Sequence, residues 1–188
     1  KTFFTCDDIG PNNVNLFVTD GGANTSVGTA VVTVVDDTAP GISTPQPVVV
    51  NTTTCSATVA LTTPAVIDAC GVASITRNPS TNTFPVGVTS VVWTVTDVNG
   101  NINTTTQTVT VRDATPPSFT TTPQNITLNG AANCTAGVLT PPAVTDNCGV
   151  VSLTRNPTGN VFCIGTTSVV WTATDAAGNT ATVTQIVT

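Results

Sequence analysis

One pattern recurs along the chain at an interval of about 78 residues, and a fixed period of this length indicates a chain built from repeated modules. The motif Asp-Gly-Gly-Ala-Asn, which begins at Asp20, returns in related form at Asp97 and again at Asp175. A second motif, Asp-Ala-Cys-Gly-Val, returns once as Asp-Asn-Cys-Gly-Val. We predict the back half of one module at 1–36, then two nearly whole modules at 37–113 and 114–188.

The first segment raises a packing problem of its own. Residues 1–36 hold only the last strands of a module, and half a sandwich cannot bury both faces of its sheets. We interpret the sequence as a piece of a longer chain. Residues 1–36 are therefore expected to lean on upstream chain, to lean on another copy, or to be poorly ordered.

Alternating apolar and hydroxylic residues mark the strands. The period of two places Val91, Trp93 and Val95 on one inward face, and the same pattern surrounds Trp171. Each of these strands leads through an Asp-x-x-Gly-Asn-type turn into a second Thr-rich strand, which is typical of a hairpin. Six or seven short strands per module without helical periodicity predict an all-β chain of tandem immunoglobulin-like antiparallel β-sandwiches.

Composition excludes several classes of function. Only 7% of the residues are charged, the net charge is -6, and a chain without a basic cluster is a poor nucleic-acid ligand. His and Glu are absent, which removes the usual general base, the Ser-His-Asp triad and most zinc sites. No apolar run approaches the ~20 residues that cross a bilayer. We therefore expect a non-enzymatic segment that neither binds nucleic acid nor inserts into a membrane.

The six cysteines indicate an oxidising compartment, because they recur at repeat positions without the spacing of a zinc site. Cys55 precedes Cys70, and Cys134 precedes Cys148, by nearly the same interval. Each pair brackets the second strand of its module and the following loop. We predict the disulfides Cys55–Cys70 and Cys134–Cys148, each closing a small loop worth ~3 kcal/mol.

Two cysteines remain outside this scheme. Cys6 and Cys163 occupy the same repeat position, where the middle module has Pro85. Neither has an evident partner within its own module. Each either pairs with a cysteine outside this segment or stays a buried thiol, or it links neighbouring modules or chains covalently.

The aspartates form two predicted groups at the module joints. In a sandwich of this topology the loop before the third strand and the last hairpin turn lie at the end where the chain enters. Carboxylates that converge there with few basic residues would favour a hard cation such as Ca²⁺. The alternative is that each Asp caps a turn with its own side chain. The candidate ligands are Asp36, Asp37, Asp68 and Asp97 at the first joint, and Asp113, Asp146 and Asp175 at the second.

Three segments carry a family resemblance. Asp-Asn-Cys-Gly-Val at 146–150, Phe-Pro-Val-Gly at 84–87 and Trp-Thr-Ala-Thr-Asp-Ala-Ala-Gly-Asn at 171–179 resemble the hyalin repeat (HYR), an immunoglobulin-like extracellular module. The resemblance implies adhesion or extracellular scaffolding. Tandem Thr-rich versions are similar to those in large surface adhesins and filaments of gliding or biofilm-forming bacteria. Asp37-Thr38-Ala39 also resembles an O-glycosylation motif of some Gram-negative surface proteins, which makes Thr38 a candidate glycosylation site.

The leading hypothesis is a structural and adhesive repeat segment of a secreted cell-surface adhesin or extracellular filament. Its expected partners are neighbouring modules of the same or identical chains, with surface glycans or proteins as further candidates. One alternative is a carbohydrate-binding or accessory module of a secreted enzyme, which an exposed row of aromatic residues would favour. The other is a self-assembling fibre subunit completed by strand addition.

Overall fold

The computed structural model describes residues 3–130 and 133–188 and is built from β-strands, so the predicted all-β class is confirmed. Residues 1 and 2, which open the predicted first module, lie outside the described residues. Within the described part of the chain, no helix is long and apolar enough to cross a membrane. The chain forms two compact units: Lys1–Gln46 with Leu61–Thr81 and Ser90–Gln107, and Pro47–Ala60 with Asn82–Thr89 and Thr108–Thr188.

A short 3-10 helix at Cys6–Asp8 precedes the strands. In chain order the strands are β1 (Gly10–Thr19), β2 (Thr25–Val34), β3 (Gly41–Ile42), β4 (Val48–Thr52), β5 (Ser56–Thr58), β6 (Val66–Ile67), β7 (Val72–Asn78), β8 (Thr83–Pro85), β9 (Gly87–Asp97), β10 (Ile102–Asp113), β11 (Ser118–Phe119), β12 (Cys134–Ala136), β13 (Val144–Thr145), β14 (Val150–Asn156), β15 (Val161–Cys163), β16 (Thr167–Asp175) and β17 (Thr180–Val187).

Most strand pairs are antiparallel, as the repeat pattern predicts. In the first unit β1 pairs with β2, β3 with β6, and β7 with β9. In the second unit β5 pairs with β8, β11 with β13 and β12 with β15, while β14, β16 and β17 form a three-stranded sheet. Strands β4, β10, β9 and β7 follow one another in a four-stranded sheet, in which β4 lies parallel to β10. The hairpin pattern of the sequence does not predict this parallel pair.

The tryptophans lie where the alternation predicts them. Trp93 and Trp171 are each 4% exposed, and the flanking Val91 and Val95 are fully buried. In the second unit Trp171 belongs to an apolar cluster that also contains Leu139, Phe162, Val169 and Val187. Neither tryptophan therefore offers an exposed stacking surface for a sugar.

The hairpin of β1 and β2 has the same alternation of residue types, but its apolar side chains are not buried. Leu16 and Val18 occupy the repeat positions of Trp93 and Val95, yet they are 54% and 68% exposed against 4% and 0%. The side chains of this hairpin that correspond to core positions in the other repeats are therefore largely exposed in the described part of the chain.

A buried hydrogen-bond relay fixes each tryptophan. Trp93 Nε1 donates to Gln107 Oε1 at 3.2 Å, and Gln107 Nε2 donates to the carbonyl of Gln46 at 2.8 Å. The relay satisfies the indole N–H, which a buried tryptophan requires. The third repeat has the same relay through Trp171, Gln185 and the carbonyl of Gln124, at 3.1 and 2.6 Å.

An arginine covers each tryptophan ring from the adjacent strand. The guanidinium carbon of Arg77 lies 5.6 Å from the centroid of the Trp93 ring, and that of Arg155 lies 5.7 Å from the Trp171 ring. These distances fall within the range of cation–π attraction. Two of the three arginines in the chain are thus placed against aromatic rings.

The Asp-x-x-Gly-Asn turns are closed by their own aspartates. Asp97 Oδ1 accepts the backbone N–H groups of Asn99 and Asn101 at 2.9 and 2.8 Å, and Asp97 Oδ2 accepts Asn101 Nδ2 at 2.8 Å. Gly100 has φ +95°, a left-handed conformation that favours glycine. Asp175 makes the same three bonds with Ala177 and Asn179 at 2.9, 2.8 and 2.7 Å.

These bonds change the acidity of the turn aspartates. Burial acts to raise the pKa of Asp97, but the hydrogen bonds from Asn101 and the turn amides outweigh it, and the pKa lies below the ordinary 3.8. The pKa of Asp175 is lowered against burial in the same way by Asn179 and its neighbours. The ionised form of each carboxylate therefore stabilises its turn.

Replacing Gln107 by alanine should lower the free energy of unfolding by about 1–3 kcal/mol, because Trp93 Nε1–H and the carbonyl of Gln46 lose their partner. Gln185→Ala should have a similar effect in the third repeat. Urea denaturation with the disulfides intact measures both. Thr106, an exposed neighbour on β10, gives the matched control Thr106→Ala, expected to stay within about 0.5 kcal/mol. Equal losses for Gln107→Ala and Thr106→Ala would contradict the relay.

Stability should also fall in acid. A carboxylate with a lowered folded-state pKa contributes its full stabilisation above the unfolded value of 3.8 and loses it as the pH drops through the folded value. We expect the urea midpoint to decrease from about pH 4 to about pH 2. Asp175→Asn should be less stable at neutral pH and less sensitive to acid. A midpoint in the unsubstituted chain that is constant over this range would refute the prediction.

Candidate functional site

Three aspartates meet at the boundary between the first and middle repeats. Asp36, Asp68 and Asp97 each place a carboxylate oxygen within 4.8 Å of the others, and we call this group the first joint. Asp36 follows β2, Asp68 follows β6, and Asp97 ends β9. Asp97 is 2% exposed, whereas the other two are half-buried. The predicted convergence of these three residues is therefore present.

Hydrogen bonds occupy much of the first joint. Asp36 Oδ2 accepts Asn99 Nδ2 at 2.7 Å, and Asp36 Oδ1 accepts the N–H of Thr38 at 3.1 Å. Asp68 Oδ1 accepts the N–H groups of Cys70 and Gly71 at 2.8 and 2.9 Å. The oxygens of Asp97 are held in the turn described above. Neutral donors thus offset much of the negative charge at this joint.

The second joint lies between the middle and third repeats and contains Asp113, Asp146 and Cys148, again within 4.8 Å of one another. Asp113 ends β10 and is 5% exposed, and Asp146 follows β13. Asp113 Oδ1 accepts Asn147 Nδ2 at 3.1 Å and the N–H of Thr115 at 3.0 Å. The sulfur of Cys148 is bonded covalently, so carboxylate oxygens are the ligands that this joint offers.

The second joint differs from the first in its unpartnered atoms. Asp146 Oδ2 accepts the N–H groups of Cys148 and Gly149 at 2.7 and 3.1 Å. Asp113 Oδ2 and Asp146 Oδ1 are buried without a hydrogen-bond partner, as is Thr115 Oγ1. Buried polar atoms are normally hydrogen-bonded, so three such oxygens at one joint require an explanation.

Two predicted ligands lie outside these groups. Asp37 is exposed and is not among the three residues that form the first joint. Asp175 is buried at 3% exposure, but both of its oxygens are bound within its own turn. For Asp175 the alternative interpretation, in which the aspartate caps a turn, describes its position.

Asparagines that the sequence analysis did not single out tie the turns to the joints. Asn101 Nδ2 donates to the carbonyl of Asp36, and Asn179 Nδ2 donates to the carbonyl of Asp113, each at 3.1 Å. These asparagines end each Asp-x-x-Gly-Asn motif, and this repetition in the sequence could have identified them as structural residues. Thr38 is exposed beside the first joint, and its glycosylation stays a prediction.

The disulfide pairs Cys55–Cys70 and Cys134–Cys148 were predicted wrongly. Cys55 bonds to Cys148 of the next repeat, and Cys134 bonds to Cys163 within the third repeat. Cys134 and Cys163 lie directly opposite each other on β12 and β15. Cys55 and Cys70 belong to different compact units. A spacing of about 15 residues does not force proximity, because an extended chain of that length spans ~50 Å.

The two cysteines without a predicted partner are also bonded. Cys6 bonds to Cys70, which matches the alternative of a covalent link between neighbouring repeats. For Cys163 both stated alternatives were wrong, since its partner Cys134 lies in the same repeat. All six cysteines of the chain are thus in disulfides, and two of the three bonds connect successive repeats.

The chemistry of both joints is that of hard oxygen donors. Ca²⁺ takes carboxylate, carbonyl and hydroxyl oxygens in flexible arrangements. The acidic clusters are compatible with Ca²⁺.

Similar solved structures are extracellular cadherin-type repeats. Human mucin-like protocadherin EC1-2 aligns with a TM-score of 0.40 at 10% identity, covering 79% of this chain and 96% of that chain. Protocadherin gamma C5 EC1-3 aligns with a TM-score of 0.37 at 15% identity, covering 97% of this chain and 78% of that chain.

Sequence comparison gives closer relatives. Hyalin of Strongylocentrotus purpuratus is 35% identical over 188 residues, and hyalin of Lytechinus variegatus is 34% identical over 191 residues. The alignments cover 92% and 94% of this chain but span only 16% and 36% of the two hyalins. The family model of the HYR domain matches residues 35–111, and that of the HYR-like domain with 4 cysteines matches residues 119–188. The chain therefore belongs to the HYR, or hyalin repeat, family.

Proposed function

We propose that this chain is a non-catalytic structural and adhesive segment of an extracellular protein, in which disulfides limit how far successive repeats can be pulled apart. Membership in the HYR family and similarity to hyalin support this proposal. We divide the segment into a partial module at 1–36 and modules at 37–113 and 114–188. Neighbouring modules are its main partners, with surface glycans or proteins as candidates for adhesion.

Several features support an extracellular, non-catalytic role. Three disulfides in a chain of this size are typical of an oxidising compartment. The chain contains no His and no Glu, so a catalytic constellation would have to use aspartates that are held in turns and joints. The bacterial surface context stays a prediction.

The observation that carries the proposal is the overlap of the three disulfide intervals. The bond Cys6–Cys70 spans 64 residues and Cys55–Cys148 spans 93, so the two intervals share residues 55–70. The bond Cys134–Cys163 spans 29 residues and overlaps the second interval at 134–148. A pulling force applied to the chain ends is therefore transmitted through disulfides and never extends most of the polypeptide.

The overlap fixes a maximum length. The shortest covalent route runs from Lys1 to Cys6, from Cys70 back to Cys55, from Cys148 back to Cys134, and from Cys163 to Thr188. This route includes only about 60 residues, and at ~3.4 Å per residue the oxidised chain extends to roughly 220 Å, against roughly 640 Å for the reduced chain. Such a limit suits a segment that bears tension between cells or matrix layers.

Single-molecule stretching of the 188-residue chain between its ends should give these two lengths, about 220 Å when oxidised and about 640 Å after reduction. The double variant Cys55→Ser, Cys148→Ser removes only the middle bond and should lengthen the oxidised chain by ~120 Å. An oxidised chain that extends to ~550 Å would contradict the proposal, because that length corresponds to disulfides closed within single repeats.

A fibre subunit completed by strand addition is the second candidate function. The exposed residues of the β1–β2 hairpin favour it, since Leu16, Phe17 and Val18 are 54%, 67% and 68% exposed. In the described chain β1 and β2 form a two-stranded sheet, so each strand has an edge that can accept a strand from another copy, and these apolar side chains could be covered by it.

Sedimentation velocity of the oxidised chain tests this second candidate. Strand addition predicts concentration-dependent association that the variant Leu16→Ser, Val18→Ser weakens at least about tenfold, because it removes apolar area from the hairpin. The exposed pair Thr53→Ser, Thr54→Ser is the control. A monomer at all accessible concentrations would exclude the fibre function while leaving the disulfide-limited segment unaffected.

A further inference from the structure

The two joints share three equivalent residues, but the partners of these residues differ. Asp36, Thr38 and Asp68 of the first joint correspond in repeat position to Asp113, Thr115 and Asp146 of the second. In both joints the threonine N–H donates to Oδ1 of the first aspartate, at 3.1 and 3.0 Å. At Oδ1 the second joint has one further donor, Asn147 Nδ2, whose equivalent in the middle repeat is Ala69. The difference that leaves an atom without a partner lies at Oδ2 of that aspartate.

One residue accounts for this difference. At the first joint Asn99 Nδ2 donates to Asp36 Oδ2 at 2.7 Å. The equivalent position in the third repeat is Ala177, which has no side-chain donor. The backbone is the same at both positions, because the N–H of Asn99 and that of Ala177 each donate to their turn aspartate at 2.9 Å. Asp113 Oδ2 is consequently buried without a partner.

The unpartnered oxygens at the second joint come from both sides of the repeat boundary. Asp113 is 5% exposed, and its carboxylate belongs to the group whose ligand atoms lie within 4.8 Å of one another. Asp146 contributes Oδ1, also buried and unpartnered, and Thr115 contributes Oγ1 in the same state. Two carboxylates and a hydroxyl form an oxygen-only donor set, which suits a hard divalent cation.

In the described part of the chain, the arginines do not balance these carboxylates. Arg77 and Arg155 lie over tryptophan rings. Arg112 is exposed, and strand alternation directs its side chain to the face opposite Asp113. Lys1 lies outside the described residues. Without a bound cation, two carboxylates with buried oxygens at this distance would repel each other strongly.

We propose that the second joint binds one Ca²⁺ ion through Asp113 Oδ2, Asp146 Oδ1 and Thr115 Oγ1, and that Asn99 removes this capacity from the first joint. Asp113 belongs to the middle module and Asp146 to the third, so the cation holds two repeats together. The usefulness of such a link between repeats rests on the proposed function of the segment. The binding itself is independent of adhesion and of the disulfide-limited length.

Titration calorimetry of the whole oxidised chain with CaCl₂ tests the site. We expect one ion per chain, with a Kd of ~10⁻⁴–10⁻³ M as in other extracellular modules. Asp113→Asn and Asp146→Asn should weaken binding at least about tenfold, since even the loss of a residue that only hydrogen-bonds to a metal ligand often has that effect. Asp68→Asn, at the equivalent position of the first joint, is the matched control and should leave binding unchanged.

Exchanging the residues at positions 99 and 177 gives a sharper test. Both residues are exposed, so the variants should fold normally. Ala177→Asn should supply the missing amide to Asp113 Oδ2 and weaken Ca²⁺ binding at least about tenfold, as other neighbours of metal ligands do. Asn99→Ala should free Asp36 Oδ2 and raise the stoichiometry from one ion to two. Unchanged binding in either variant would contradict the role assigned to this position.

A second readout separates ligand loss from misfolding. Without Ca²⁺, Asp113→Asn should be as stable as the unsubstituted chain or more stable, because the substitution removes a repulsion. With Ca²⁺ present, the unsubstituted chain should gain thermal stability and Asp113→Asn should not. The proposal is overturned if the unsubstituted chain binds no Ca²⁺ at millimolar concentration, or if Asp113→Asn loses stability equally with and without the ion. In that case the stretching lengths of about 220 and 640 Å would still be expected, because they depend on the disulfides and not on Ca²⁺.

Discussion

The overlapping disulfides are the constraint on which the rest of the structure depends. Two of the bonds close long loops, and in the chain-entropy model a loop of 64 or 93 residues stabilises the folded state by about 4–5 kcal/mol. More important is where the loops lie. Because Cys6–Cys70 and Cys55–Cys148 each connect successive repeats, they hold together the loops that form the two joints. Asp68 and Asp146 lie two residues before the bonded Cys70 and Cys148.

Repetition of the sequence produces repetition of the geometry down to single hydrogen bonds. The Trp–Gln relay, the arginine over the ring and the asparagine that binds a joint carbonyl occur in both complete repeats, with distances that agree within about 0.2 Å. Against this background the exchange at one turn position has the clearest consequence for the joints. Replacing Asn99 with Ala177 leaves the turn unchanged but removes one donor, and a carboxylate oxygen of Asp113 is left without a partner.

Local pattern in the sequence was sufficient to predict the long strands that carry the tryptophans and their inward face. Alternation around Trp93 and Trp171 identified buried positions, because the side-chain period of a strand is fixed by its backbone.

Local pattern could not predict which cysteines bond, since proximity across a sheet or a joint depends on register and topology. The third repeat has three cysteines, Cys134, Cys148 and Cys163, so at least one of them had to bond outside that repeat or remain free. This count does not say which of the three it is, and Cys163 was chosen wrongly. The joint aspartates were found because topology brings their loops together. Asp175 lies outside the second joint, although its carboxylate makes the same turn bonds as that of Asp97, which belongs to the first.

Disulfide mapping under non-reducing conditions tests the central claim most directly. Cleavage after the basic residues divides the chain into peptides 2–77, 78–112, 113–155 and 156–188. The pairing described here joins the first, third and fourth of these in one covalent assembly and releases only peptide 78–112, which has no cysteine. Release of peptide 113–155 on its own, with Cys134 and Cys148 bonded to each other, would contradict the account.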